Sequence, residues 1–223
     1  MLTMLTYNVN IVNIKMWYNT QMKKMSNYHH GNLKEELLIQ SLKIIQTEGI
    51  DSLTLQILAS KLGTSRSAIY RHFSSKEDLI HNIIYFGFKK FEENLSPIFS
   101  MKNKSILEKL HLVGDKYINF AIENPNLYRM LFGDKFQDMR ESSCNIEEDE
   151  HDGSFKSLIN LFIKAQESTL IKKDNPMTQA QVLFSMCHGM SLLYIDGHMN
   201  IKENIKELYE LSFETVKNGL LIK

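Results

Sequence analysis

Two arginines, a serine, a tyrosine and a histidine crowd one short stretch: Arg66, Ser67, Tyr70, Arg71 and His72. A guanidinium can bind the O6/N7 edge of guanine bidentately, and a serine hydroxyl adapts to either base edge. A phenol can reach a phosphate or pack on a thymine methyl. Lys76 follows in the first turn of the next helical pattern, where a phosphate would meet an ammonium and free backbone N–H groups together. Upstream, Thr54 and Gln56 are placed to touch the backbone strand that a preceding helix would cross. Ser65 stands at the start of the short helix itself. The set suits the major groove of double-stranded DNA. The competing reading leaves Tyr70 and His72 partly buried and Arg71 a solvated charge; Tyr28–Gly31 ("YHHG") is either an arm toward phosphates or a plain lead-in.

The elements around these residues are well marked. Asn32 and Glu35 open a first helix with capping-box spacing, and Gly49 closes it as a C′ glycine. Leu33, Leu37, Leu38, Leu42, Ile44 and Ile45 give it a broad apolar stripe. Thr54 caps a second helix, Leu55 to Leu62, ended by Gly63, and Ser65 caps a third from Arg66 to about Phe73. Ser74 with Glu77, or Ser75, caps a fourth, running from Lys76 to about Leu95 with Leu79, Ile83, Ile84 and Phe88 inward. A helix as short as the third buries little. Ile69 and Phe73 hold it down while its other side faces out. Two such helices joined by Gly63-Thr64-Ser65 and braced by another form a helix-turn-helix, spanning about 54–73.

Longer helical patterns follow: about 105–123, from Asn124-Pro125, about 154–171, about 178–194 and about 201–221. The acidic stretch Arg140–Gly153 has little to bury and reads as a mobile loop. The 178–194 pattern is apolar almost all round, and the last helix keeps a wide stripe from Ile205 to Leu220. That is more apolar face than one domain uses, so a homodimer through about 178–221 is expected, with intradomain packing as the alternative. Phe120, Tyr128, Met130, Phe132, Phe162, Met186 and His188 are candidates to line an effector pocket, since aromatic and Met side chains make adaptable apolar walls. Gly87 is a candidate bend point in the fourth helix.

Cys187 and His188 raise a rival reading, a helical small-molecule-binding protein or enzyme using this pair in a C-terminal cavity. Neighbours on a helix point about 100° apart, which prevents a Cys–His nucleophile pair between them. His188, Asp196 and His198 lack a compact ligand spacing. No catalytic residue, metal site or cofactor is therefore expected.

The chain as a whole bounds these readings. Its 223 residues suit one large or two small domains, and only three prolines with no hairpin signal favour an all-α fold. Formal net charge is zero, and acids balance bases between Ser26 and Pro97, so a reading helix cannot lean on a broad basic surface. Geometry and a second copy must do more. Cys144 and Cys187 match no zinc or CxxC spacing, which fits a reduced, cytoplasmic setting. No run of eighteen apolar residues exists, so no membrane partner is expected. Residues 1–25 are Asn-rich and apolar without a leader pattern, and read as an extension ahead of a natural start at Met25.

"SLTLQILASKLGTSRSAIYRHFSSKEDLI" resembles the DNA-binding domain of TetR/AcrR-type transcriptional regulators, and the likeness runs from about Tyr28 to Phe91. It is carried by Gly49 to Thr54, by Ala59 and Gly63, by Ala68 to Phe73 and by Lys76 to Leu79; Thr64 stands where the family commonly has Val. The later half is similar to a sensing domain with a "WHG" signature, here Cys187-His188-Gly189, and shares "NPNLYRMLFG" at Asn124–Gly133. The resemblance implies residues 26–95 as the DNA-binding domain and 96–223 as an effector-binding and dimerisation domain. It further implies a homodimer on a near-palindromic operator, released by a small-molecule effector, with repression as the expected output and no enzymatic activity.

Overall fold

The computed structural model describes residues 33–138 and 153–222. The Asn32 cap, the Tyr28–Gly31 arm, the question of Met25, Cys144 and nearly all of the acidic stretch lie outside the described residues. Among the described residues the fold is all-α: α1 (Leu33–Glu48), α2 (Leu55–Lys61), α3 (Arg66–Tyr70), α4 (Lys76–Phe99), α5 (Ile106–Glu123), α6 (Pro125–Phe132), α7 (Gly153–Glu167), α8 (Pro176–Asp196) and α9 (Ile205–Leu220). Short 3-10 turns follow α1, α6 and α8. The one extended contact is an isolated antiparallel bridge between Ile171 and Leu221.

Local chemistry explains the boundaries. Thr54 Oγ1 accepts from the Ile57 N–H at 3.1 Å and Ser65 Oγ from the Ala68 N–H at 3.2 Å, capping α2 and α3. Gly63 turns the chain at φ +61°, with Thr64 N–H donating to the Ala59 carbonyl and Gly63 N–H to Ser60, the double bond of a Schellman end. Of the two serines offered for α4, Ser75 is the cap, accepting from the Asp78 N–H; Ser74 instead donates its N–H and hydroxyl to the Asp78 carboxylate. Ser105 and Glu108 close a full capping box on α5.

Several boundaries differ from the sequence reading: α3 ends at Tyr70 rather than about Phe73, and α9 begins at Ile205 rather than about 201, after a 3-10 turn over His198–Glu203. α4 does not stop at Leu95 but passes through Pro97 to Phe99. Pro97 is exposed in the last turn, where water can serve the freed Glu93 carbonyl, while buried Ile98 holds the turn against the core. α7 ends at Glu167 rather than Ile171: Thr169 adopts φ +54°, and the Leu170 N–H returns to the Ala165 carbonyl. α8 starts two residues early because Asn175 accepts from the Met177 and Thr178 N–H groups and Pro176 occupies N1.

One apolar core runs through both halves. α4 supplies its spine, burying Leu79, Ile80, Ile83, Ile84, Gly87, Phe91, Leu95 and Ile98 at three- and four-residue spacing. It packs on α1 and α6 on one side and on α5 and α7 on the other, while α8 packs on α5, α7 and α9. Gly87 has a different reason from bending. A Cβ there would stand 2.9 Å from Leu131 Cδ2 and 3.0 Å from Leu127 Cδ1, so its bare backbone is what lets α4 and α6 touch.

Candidate nucleic-acid interface and aromatic cluster

Every side chain expected to meet DNA stands in solvent. Thr54, Gln56, Ser65, Arg66, Ser67, Arg71, His72 and Lys76 are all exposed, and Tyr70 is 54% exposed. The opposite side of α3 is fully engaged, with Ile69 at 0% and Phe73, just beyond it, at 1% exposure. The reading that put Tyr70 and His72 partly inside does not hold. Among the described residues, none of Arg66, Arg71 or Lys76 takes part in an ion pair. Glu48 pairs with Lys61 at 2.7 Å, Asp51 with Lys135 at 2.9 Å, and Asp78 takes the Ser74 bonds. The Glu77 carboxyl, held low first by hydrogen bonds to backbone and Ser75, is lowered further by the neighbouring Lys76. A domain neutral in sum therefore exposes Arg66, Arg71 and Lys76 without ion pairs, around a short helix whose other face is locked into the core.

The seven pocket candidates divide. Tyr128, Phe132 and His188 come together: Tyr128 Oη lies 2.6 Å from His188 Nδ1, and the Phe132 ring sits 4.8 Å from Tyr128 and 5.8 Å from His188, between ring centres. Phe120 joins through Phe91. Phe162 lies on the other side of α8, lining a nearly filled void with Leu110, Leu183 and Phe213. Met130 is buried and Met186 partly buried.

Three members were missed by sequence reasoning. Tyr117 Oη is 2.9 Å from Tyr128 Oη and 3.2 Å from His188 Nδ1; Phe184 stacks on His188 with an 8° interplanar angle; Phe91 packs edge-on against Tyr117 and Phe132. Phe184 stands one turn before His188, a spacing that could have flagged it. Tyr117 and Phe91 left no comparable local signal. Burial pushes Tyr128 up to about 12 and Tyr117 well above its usual range, and pushes His188 down, so all three are neutral at physiological pH.

Cys187 does not join this chemistry. It is 2% exposed, and burial alone pushes its thiol up to about 12, holding it protonated. With His188 Nδ1 turned to two tyrosines, the pair has no nucleophile–base geometry. Among the described residues no group of three His, Cys, Asp or Glu side chains is arranged to hold a metal ion, and no helix is long and apolar enough to cross a membrane.

The two halves are joined through α1 and α6. Gln46 Nε2 donates to Asn124 Oδ1 at 2.9 Å and to the Glu123 carbonyl at 3.2 Å, while Asn126 Nδ2 returns a bond to the Gln46 carbonyl at 3.1 Å. One turn further along, α6 carries Leu127 and Leu131 to Gly87 and, on another side, Tyr128 and Phe132 to His188.

Residues 33–83 match the profile of the bacterial regulatory proteins of the tetR family, and residues 110–216 match that of a tetracyclin repressor-like C-terminal domain. The chain belongs to the tetR family. It is a DNA-binding, helix-turn-helix transcription regulator of that family. Nucleoid occlusion factor SlmA of Idiomarina loihiensis is 26% identical over 183 residues, covering 79% of this chain and 87% of that protein. SlmA of Vibrio cholerae is 33% identical over 103 residues, covering 46% of this chain; the match spans only about half, 52%, of that protein's length. The fold resembles that of a Rhodococcus sp. RHA1 protein of unknown function, with TM-score 0.74 at 21% identity over 88% of this chain and 99% of the other. It also resembles AibR in complex with isovaleryl coenzyme A and operator DNA, with TM-score 0.53 at 20% identity over 73% of this chain and 85% of the other.

Proposed function

We propose that this tetR-family regulator is a ligand-responsive repressor, binding a near-palindromic operator as a homodimer and leaving it when a small molecule occupies the C-terminal half. In this reading residues 26–95 form the DNA-binding domain and 96–223 the effector-binding and dimerisation domain. The ion-pair-free ridge of Arg66, Arg71 and Lys76 on the capped α3–α4 corner carries the DNA half of the proposal. Arg66, Ser67 and Tyr70 face base edges, while Thr54, Gln56, Ser65, His72 and Lys76 meet the backbone.

Dimerisation is supported by what α8 and α9 leave uncovered. Val182 is 49% and Leu211 68% exposed, although Leu183, Cys187, Met190, Tyr209 and Phe213 on the same helices are buried. Neighbouring Ser185 is exposed, and a side chain added at Gly189 would meet nothing within 4 Å, so a second copy could approach closely along this face. For effector control, α6 is the supporting element, because one short helix touches the aromatic cluster, α1 and α4. A ligand shifts DNA affinity only if it favours one of two dimer geometries, and moving α6 changes how α1 and α4 are held.

The test is a salt-titrated mobility shift on DNA from upstream of the gene. Wild type should bind a discrete site, with affinity falling steeply as salt rises. Arg66→Ala/Tyr70→Ala should lose specific binding by about a hundredfold or more, since each good base contact discriminates by about 1–3 kcal/mol. Sequence-specific binding retained by the double variant would reject this reading face.

A further inference from the structure

The aromatic cluster holds a buried hydrogen-bond chain whose protons can be counted. Tyr117 and Tyr128 are 4% and 0% exposed, and their hydroxyls lie within bonding distance of each other and of His188 Nδ1. Buried hydroxyls donate when an acceptor is in reach. If Nδ1 is bare, Tyr117 donates to Tyr128 and Tyr128 donates to Nδ1 across the shortest contact, 2.6 Å, and every proton in the trio is placed. A proton on Nδ1 would turn the Tyr128 proton away from the imidazole and leave Nε2 with none to donate. The bare-Nδ1 arrangement puts the imidazole proton on Nε2, to which no described residue is bonded.

The ring that carries this proton is held on its faces as well. Phe184 stacks parallel to it at 5.6 Å between centres, and Phe132 meets it at 66° and 5.8 Å. Phe132, Phe184 and His188 are each only partly buried, so this side of the cluster is where a ligand can arrive. Arg129, in the same helix as Phe132, is already bonded to Asp196 Oδ1 at 2.6 Å and to the Ile195 carbonyl at 3.2 Å. A carboxylate settling here would exchange water for a single neutral donor, an unfavourable trade in an apolar site. A neutral carbonyl oxygen loses far less and gains a bond.

We propose that His188 is the polar anchor of the effector site, its Nε2–H aimed by Tyr128 and Tyr117 at the carbonyl oxygen of an uncharged aromatic or alicyclic ligand lying against Phe132 and Phe184. This rests on the reading of the C-terminal half as an effector domain, and it names the chemistry that domain accepts. Ser191 Oγ, whose own proton goes to the Cys187 carbonyl at 2.8 Å, is the other acceptor beside Tyr128, so the tautomer is the first quantity to measure.

Long-range proton–nitrogen NMR of the full chain with labelled histidine reads it directly. His188 should show the Nε2–H pattern, and Tyr128→Phe should relax it toward a mixture. Three probes of one shape then test the ligand class: 2-acetylnaphthalene, 2-ethylnaphthalene and 2-naphthoate. The ketone should shift the His188 ring nitrogens and bind at least tenfold more tightly than the other two, and His188→Phe should reduce it to the level of the hydrocarbon. An Nδ1–H pattern in the wild type, equal binding of ketone and hydrocarbon, or no response of His188 to any probe would each overturn the assignment. If the variant does not fold, the wild-type spectra decide. Operator binding is measured in parallel: a His188 response in a chain that does not bind DNA would sink the regulator reading and leave this site standing.

Discussion

Arg66, Tyr70 and Lys76 come from one stretch of chain and stand in solvent, whereas Tyr117, Tyr128 and His188 come from three helices up to 71 residues apart and bond to each other inside the core. In the helix-turn-helix corner the buried anchors Ile69 and Phe73 and the exposed Arg66, Ser67 and Tyr70 proposed to meet bases are different residues on opposite sides of the same short helix. In the aromatic cluster they are the same residues. The first arrangement allows contact residues to change without disturbing the helix beneath them. In the second, any change of ligand preference is also a change of packing, and the packing includes α6, which reaches α1 and α4.

The largest effect should come from breaking the separation at its apolar side. Phe73→Ala removes a ring that is 1% exposed, and such truncations cost about 3–5 kcal/mol. Arg66→Ala, seven residues earlier and exposed, should leave stability within about 0.5 kcal/mol while weakening operator binding. Urea unfolding of the two variants checks this. Comparable destabilisation by Arg66→Ala would mean that contact and fold are not separable in this corner, and the contrast with the aromatic cluster would fail.

Gly87→Ala tests the other side of the comparison, and its effect should be smaller. The new methyl would press on Leu127 and Leu131, both buried and unable to swing into solvent. Overpacking of this kind costs about 1–3 kcal/mol, offset by the roughly 1 kcal/mol that Ala gains over Gly in a helix. Stability should therefore fall only slightly. Operator affinity should nevertheless move by several-fold, because α6 is displaced from α4, although Gly87 faces neither proposed ligand. An unchanged operator affinity alongside normal folding would show that the α4–α6 contact does not connect the two halves.

The same contrast governs what could be read in the sequence. The helix-turn-helix corner was legible because its determinants are local: Thr54 and Ser65 accept from N–H groups three residues ahead, Gly63 supplies a positive φ, and Ile69 and Phe73 are anchored by a four-residue spacing. The choice between Ser74 and Ser75 was not legible, since it turns on which hydroxyl the Asp78 carboxylate takes. Nor was the passage of α4 through Pro97, which depends on Ile98 finding the core. In the later half, Tyr128, Phe132 and His188 come together and Phe162 stands apart for one reason. Residue type suggests a wall, but only the packing of α5, α6 and α8 decides which side of α8 a ring ends up on. Tyr117 is a core position by spacing, and its role appears only when two chain-distant groups arrive at its hydroxyl.

Ser65 gives the finest cut at the separation, because like Thr54 it is assigned to both jobs. Its Oγ accepts from the Ala68 N–H at 3.2 Å and lies 2.8 Å from Ser67 Oγ, and it is exposed beside the proposed phosphate path. Removing the cap with Ser65→Ala should cost about 1 kcal/mol, in the usual range for such a loss, and should weaken DNA binding through a frayed α3. Ser65→Asp keeps an acceptor in the capping position and should hold stability near wild type. It also adds a negative charge where a phosphate is expected, so operator binding should fall about tenfold, by more than with Ser65→Ala, and recover partly at higher salt relative to wild type. Thermal unfolding and a salt-titrated mobility shift on the two variants separate the terms. If Ser65→Asp binds operator as well as wild type, Ser65 is a cap alone, and the backbone contact at the start of α3 must be made by a neighbour.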